Sequence, residues 1–198
     1  MLSFAITGGI GSGKSYVSAL LEQRGIPIYN ADNEAKRLMQ SDEVIQRDLI
    51  ALLGSEVYQD GVLNKPFLAK YLFSDASHAQ KVNAIVHPRV KADFYRWKEA
   101  QTGVDVVGME CAILFESGFD DTVDRIVMVY APLEIRLERA MKRDKASKEQ
   151  ILARISAQMD DEEKKRRSHY VIHNDGTESV DLQLEKLLSS LCQGNIAR

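Results

Sequence analysis

The sequence predicts an α/β protein: three layers, with a mostly parallel five-stranded sheet covered by helices on both faces. Three observations predict it. The chain opens with an apolar run, a glycine-rich turn and an amphipathic helix. Four further short apolar runs read as strands and alternate with helical periodicity. One long helical stretch interrupts the alternation without adding to the sheet, and that sequence of elements describes a sheet wrapped by helices rather than a bundle or a sandwich.

The first strand is the buried run Leu2-Ser3-Phe4-Ala5-Ile6, and the first helix is Tyr16-Val17-Ser18-Ala19-Leu20-Leu21 with apolar residues at 17, 20 and 21. Between them Gly8-Gly9-Ile10-Gly11-Ser12-Gly13-Lys14-Ser15 carries Gly, four residues, Gly, Lys and Ser. Strand, glycine loop and helix are the context in which that spacing is a phosphate-binding P-loop, and the fold class becomes a three-layer P-loop NTPase fold. Glycines let backbone N–H groups approach and converge on phosphate, and the helix N-terminus adds favourable potential for an anion. Lys14 can reach terminal phosphates. The Ser15 hydroxyl is a ligand for Mg²⁺, which takes hard oxygen donors. A plain helix cap would need neither side chain.

Arg24-Gly25 ends the helix, and Ile26-Pro27-Ile28-Tyr29 is a second strand running into Asn30-Ala31-Asp32. Asp32 falls at a strand's carboxyl end, the edge where open α/β sheets bind ligands. It also suits the N-cap of the helix through Glu34 to Met39, and both readings stand on position alone. Residues 41–101 then read as helical, punctuated by Gly54, Asp60-Gly61 and Pro66, and as an insertion rather than more sheet. Within it, 67–73 has helical spacing, and Val82, Ile85, Val86, Val90, Phe94 and Trp97 continue an apolar face that Pro88 should kink or restart. His87 could contact a ligand, although a lone His beside an apolar face is more often packed or solvated; Lys65, Arg89 and Lys91 could meet anionic groups, although solvated surface charge is the commoner account of each.

Val104 to Cys111 is the third strand, with Glu110 near its carboxyl end, where an acidic residue can support a metal-bound water as a Walker B carboxylate does. The loop Ile113-Leu114-Phe115-Glu116 brings a second carboxylate. Arg125 to Tyr130 is the fourth strand, and Pro132 opens a helix in which Arg136, Arg139 and Arg143 share a face. Such a row suits a lid over phosphates. The charged run 160–167 reads as a solvated face, Ile151, Ile155 and Met159 as packing, and Gln158 has no evident packing role. A last strand, His169 to His173, and a closing amphipathic helix through Leu182, Leu184, Leu187, Leu188 and Leu191 complete the chain.

Composition narrows the classes. The chain has 198 residues, a formal net charge of -3 and 44% hydrophobic residues, a globular composition that gives no reason to expect nucleic acid as a partner. Cys111 and Cys192 lack metal or disulfide spacing and are expected as reduced thiols. No signal-like or membrane-spanning run is present in the sequence, so a cytoplasmic enzyme with no membrane partner is expected.

Taken in order, these segments resemble one family. Thr7 to Ser15, Asn30-Ala31-Asp32, Tyr71-Leu72-Phe73-Ser74-Asp75, Val82-Asn83-Ala84-Ile85-Val86-His87-Pro88, Ile113-Leu114-Phe115-Glu116, Arg139, Arg143-Asp144, Arg154 to Met159 and Ile172-His173-Asn174-Asp175-Gly176 are similar to the motifs of the dephospho-coenzyme A kinases. The chain departs from that pattern at Asn30 (Asp in the family), Tyr16 (Thr), Lys65 (Arg), Ala112 (Pro) and His169 (Asp). The resemblance implies ATP-dependent phosphorylation of the ribose 3′-hydroxyl of dephospho-CoA, with ATP as co-substrate and Mg²⁺ bound at Ser15. It implies that Gly8, Gly9, Ile10, Gly11, Ser12, Gly13, Lys14, Ser15 and Tyr16 bind nucleotide, that Asp32, Lys65, His87 and Glu116 bind the acceptor, and that Asp32, Lys14, Arg139 and Arg143 are catalytic. It further implies a core over 1–32, 103–138 and 168–198, an acceptor-binding insertion over 33–102 and a lid over 139–167. A kinase for another nucleotide-like acceptor and a nucleotide-dependent switch are the alternatives; Asp105-Val106-Val107-Gly108 has the bare Asp-x-x-Gly spacing of the latter.

Overall fold

Parallel strands must bury both faces, and the apolar runs of this chain are long enough to do so only when helices cover them. A computed structural model of the chain describes residues 1–193. Its main sheet has five strands in the order β2 (Ile28–Asn30), β5 (Val106–Glu110), β1 (Leu2–Thr7), β6 (Arg125–Tyr130) and β7 (Tyr170–His173). The β1–β5, β1–β6 and β6–β7 pairs are parallel. Register aligns Ile6 with Glu110 and Thr7 with Met128, so the carboxyl ends of β1, β5 and β6 form one edge.

The chain forms two compact units. In the first, residues 1–29 and 103–198, Phe4, Ile6, Val127, Val129 and Ile172 of the sheet pack on Val17 and Leu21 of α1 (Lys14–Glu22) and on Leu184, Leu187 and Leu191 of α9 (Val180–Gln193). Leu182, expected on that apolar face, points to solvent, because the buried stripe of α9 runs through 184, 187 and 191. Gly25 ends α1 with a positive φ, and the amide of Ile26 bonds back to Leu21. The same unit holds α6 (Leu133–Asp144), α7 (Lys148–Ser156) and α8 (Asp161–Arg167). Ser147 and Gln150 form a capping box on α7. Cys111 is buried and unoxidised; the Cys192 side chain lies outside the described residues.

The second unit, residues 30–102, contains α2 (Ala31–Ser41), α3 (Glu43–Leu53), α4 (Lys65–Ser74) and α5 (Ala76–Ala100) around a core that includes Leu38, Ile45, Leu49, Leu68, Val82, Val86, Val90 and Phe94. Two expectations are corrected here. Asp60-Gly61, both at positive φ, turn a two-stranded antiparallel hairpin of β3 (Tyr58–Gln59) and β4 (Val62–Leu63), so the insertion is not wholly helical. Pro88 does not restart a helix: α5 continues through it for 25 residues without a break. Proline has no N–H for an intrahelical bond, but Val82, Val86, Val90 and Phe94 bury one continuous face on either side of it. Among the described residues no helix is long and apolar enough to cross a membrane.

Candidate active site

The glycine loop leaves β1 at Thr7 and enters α1 at Lys14. Gly13, the residue before the helix, lies in the left-handed region (φ 98°), and a Cβ there would sit 2.1 Å from Asn174 Nδ2. Only glycine satisfies both the dihedral and the space. Asn174, one residue past β7, holds the loop from that side by donating from Nδ2 to the Ser12 carbonyl at 2.8 Å. Lys14 curls over the loop, its ammonium 3.0 Å from the Gly8 carbonyl and 3.2 Å from that of Gly9. Ser15 donates its hydroxyl to Glu110 Oε1 at 2.8 Å. The pairing of Ile6 with Glu110 explains this contact, since it sets the last residue of β5 beside the start of the loop.

A cavity of about 190 Å³ is lined by Gly11, Gly13, Lys14, Ser15, Tyr16, Arg139 and Arg143. Seven residues that the sequence singled out are therefore brought together by the fold. Arg139 is held through a 2.9 Å bond from Nη1 to the Asn174 carbonyl. Arg143 lies across Asp144, 2.7 Å from Nε to Oδ1 and 3.1 Å from Nη2 to Oδ2, and Arg154 reaches the same carboxylate at 3.0 Å. The Arg143 guanidinium, followed by the charge of Arg154, holds the Asp144 carboxyl below its usual range. The cavity thus presents one ammonium and two guanidinium groups at a helix N-terminus, an arrangement suited to several phosphate oxygens at once.

Arg136 departs from the expected row. Its side chain is buried, pairs with Asp161 and reaches the Ile10 carbonyl at 3.4 Å, so it supports the back of the loop while Arg139 and Arg143, one and two turns further along α6, face the cavity. The charged run 160–167, expected as a solvated face, is exposed at Asp160, Glu162, Arg166 and Arg167 but not throughout, because Lys164 within it is fully buried. Its ammonium stands 3.2 Å from Glu116 Oε1 and donates to the Ala112 carbonyl at 3.3 Å. Glu116 also accepts the Met159 N–H at 2.7 Å. Of the two carboxylates that could support a metal, Glu110 is the one beside Ser15 and Glu116 is engaged by the segment around α8. A hydroxyl and a carboxylate meeting at the phosphate end of a P-loop fit Mg²⁺, which binds through few protein oxygens and keeps waters and phosphate ligands. Among the described residues there is no cluster of three or more His, Cys, Asp or Glu that could hold a metal ion.

Most of the remaining candidates lie in the second unit. Asp32 is the second residue of α2 and exposed, and the capping role belongs to Asn30, whose side chain accepts the Asn33 N–H at 3.0 Å. The cap reading of Asp32 is thereby replaced, because the helix begins two residues earlier than its apolar periodicity suggests. His87 is half-buried in α5; burial, then the neighbouring Lys91 charge, lowers its pKa and favours the neutral ring. Lys65 opens α4 and is exposed. Arg89 is committed within the unit, bonding Asp42 at 2.7 and 3.0 Å. Asp105 precedes β5, at the opposite end of the strand from Glu110, which removes the geometric basis for a switch-type Asp-x-x-Gly.

Comparison with known proteins agrees. The sequence profile of the family described as Dephospho-CoA kinase matches residues 2–179. The chain is 53% identical to the dephospho-CoA kinase of Bacteroides fragilis over 192 residues, 97% of this chain and 94% of that one. It is 44% identical to the enzyme of that name from Porphyromonas gingivalis over 80% of this chain and 78% of the other. Among solved structures it superposes on a Thermus thermophilus protein with a TM-score of 0.82 at 35% identity, covering 96% of this chain and 97% of that chain. The shared fold reaches further, to an Acinetobacter baumannii shikimate kinase at 17% identity, TM-score 0.54, covering 100% of this chain and 96% of that chain. A profile match over nearly the whole length, and 53% identity carried across both chains, show that this chain belongs to the dephospho-CoA kinase family.

Proposed function

We propose that the chain completes coenzyme A synthesis by transferring the γ-phosphoryl group of ATP to the ribose 3′-hydroxyl of dephospho-CoA, releasing CoA and ADP. The observation that carries the reading is the cavity in which Lys14, Ser15, Arg139 and Arg143 converge on the mouth of the P-loop. Phosphoryl transfer passes through a loose transition state whose charge lies on the equatorial oxygens, so the protein's task is positioning and neutralisation. The loop amides and Lys14 take the β- and γ-phosphates. Arg139 and Arg143 meet charge that grows on the transferred group, and Asp32 orients the 3′-hydroxyl and accepts its proton. Lys65 and His87 serve the acceptor. Ser15 and Glu110 would hold Mg²⁺, which when bound neutralises charge between the β- and γ-phosphates. The two-unit division adds support, because residues 30–102, where three of the four acceptor candidates (Asp32, Lys65 and His87) fall, form a compact unit of their own; the fourth, Glu116, belongs to the first unit, where Lys164 and the Met159 N–H engage it. A reducing cytoplasm suits the reading, since both CoA and the buried thiol of Cys111 are kept reduced there.

The test is ADP release from ATP with dephospho-CoA, with nucleosides or nucleoside monophosphates, and with no acceptor. Dephospho-CoA is expected to raise the rate at least about a hundredfold over no acceptor, in keeping with the contribution of a positioned base. Equal rates with nucleoside monophosphates would replace this acceptor by another, and acceptor-independent turnover would point to hydrolysis.

A further inference from the structure

The segment from Gln158 to Lys164, which covers the end of the α7–α8 connection and the first turn of α8, makes five polar contacts that involve two different loops at the carboxyl edge of the sheet. Two serve the P-loop, one directly and one through Arg136 of α6. Gln158 Oε1 accepts the Ile10 N–H at 3.2 Å, and Asp161 pairs with Arg136, whose Nη1 reaches the Ile10 carbonyl at 3.4 Å. Both backbone polar groups of Ile10 are thus met from outside the loop. Arg136 packs so closely on Gly9 that a Cβ there would lie 1.9 Å from Nη1, and its buried Nε has no hydrogen-bond partner among the described residues. The other three contacts go to the loop after β5: Met159 N–H to Glu116 Oε1 at 2.7 Å, and Lys164 Nζ to Glu116 and to the Ala112 carbonyl.

We infer that the segment 158–164 is a clasp that fixes the P-loop and the Ala112–Glu116 loop to one another, with Gln158 and Lys164 acting as positioning residues for nucleotide binding. Lys164 is the anchor. A fully buried ammonium cannot leave its oxygen partners without exposing an uncompensated charge, so the start of α8 follows the Ala112–Glu116 loop. Gln158 is the transmitter. By accepting the Ile10 N–H it fixes the direction of one amide in a loop whose function depends on where its amides point. Exposed ion pairs such as Arg24–Asp181 and Lys186–Glu178 lack this leverage, since solvent replaces either partner at little cost. The inference rests on Gly8 to Ser15 binding nucleotide, but not on the identity of the acceptor.

The experiment measures ATP affinity by titration calorimetry on the full chain carrying Lys164→Met, Gln158→Leu and both, with thermal unfolding recorded for each. Lys164→Met keeps the side-chain length and removes the charge without touching the P-loop; ATP Kd is expected to rise about fivefold or more, in the range usual for coupled sites. Gln158→Leu should act in the same direction, and the double variant should be no weaker than the worse single variant, because both break one path. The inference is overturned if Lys164→Met lowers Tm yet leaves ATP Kd within about twofold, or if the two effects add. Should Lys164→Met fail to fold, Glu116→Gln takes its place in the cycle, with the same non-additivity expected and additivity overturning it. Absence of ATP binding by the unsubstituted chain would overturn the nucleotide reading itself, a result distinguishable from both.

Discussion

Asp32 and Glu110 are both acidic and both sit near the ends of strands, yet the structure gives them different work. Glu110 is 8% exposed and accepts the Ser15 hydroxyl; Asp32 stands in the first turn of α2, relieved of capping by Asn30. On the proposed reading Asp32→Asn removes the proton acceptor while leaving every P-loop contact in place. Turnover should fall at least about a hundredfold with ATP affinity preserved, the loss expected of a general base. Steady-state kinetics with parallel ATP titration decide it, and near-normal kcat would take Asp32 out of the chemistry. Glu110→Gln acts differently. It keeps an acceptor for Ser15 but removes the negative charge, so the Mg²⁺ concentration for half-maximal activity should rise about tenfold or more while saturating Mg²⁺ restores much of kcat. An unchanged Mg²⁺ dependence would leave Glu110 as an anchor for Ser15 and nothing more.

At the scale of elements, the join between α2 and α3 depends on Asp42, whose carboxylate caps α3 by accepting the Val44 and Ile45 N–H groups, each at 3.0 Å, and also receives Arg89 from α5. Burial raises its pKa, but the Arg89 guanidinium and the helix amides outweigh that and leave it below the usual value. A depressed carboxyl contributes stability above its unfolded pKa, about 3.9 for Asp, and loses it as pH falls through the folded value. Asp42→Asn keeps a capping oxygen and should flatten the acid limb of a Tm–pH profile. Asp42→Ala removes cap and pair together and should cost about 1–2 kcal/mol more than Asn at neutral pH. Equal losses for the two would deny the cap its share. Elements of this kind show what was legible in the sequence. The P-loop, the five strands and the helical insertion were readable from spacing and periodicity, because a parallel strand is an apolar run and a buried helix an apolar stripe. The caps, the Asp60-Gly61 hairpin and the unbroken α5 were decided by local hydrogen bonds and tertiary burial. For the same reason Lys164 was read as surface charge and Arg136 as one of the cations facing the phosphates. Nothing in a string of cations marks which one the fold will bury, although Gln158, alone without a packing role, already hinted at a contact beyond its own helix.

The whole molecule divides into two compact units whose cores share no residue: one built on Phe4, Ile6, Val127 and Val129, the other on residues such as Ile45, Leu49, Val90 and Phe94. This partition separates the phosphate chemistry of the P-loop, all in residues 1–29 and 103–198, from Asp32, Lys65 and His87 in residues 30–102. Phe94 tests it. The ring is fully buried and packs near those of Tyr95 and Trp97, so Phe94→Ala opens a cavity in the second core at a cost of about 3–5 kcal/mol. Because the lost contacts belong to one unit, the damage should fall there first. Thermal unfolding should broaden or split, as expected once two-state behaviour fails, and hydrogen exchange should accelerate in 30–102 well before it does in β1, β5 and β6. At a temperature where the variant is folded, ATP should still bind with near-normal affinity while turnover with dephospho-CoA drops, since Asp32, Lys65 and His87, proposed to serve the acceptor, fall in the weakened unit. A parallel loss of ATP affinity would show that the P-loop draws its stability from the second core, and the assignment of nucleotide and acceptor to separate units would fail.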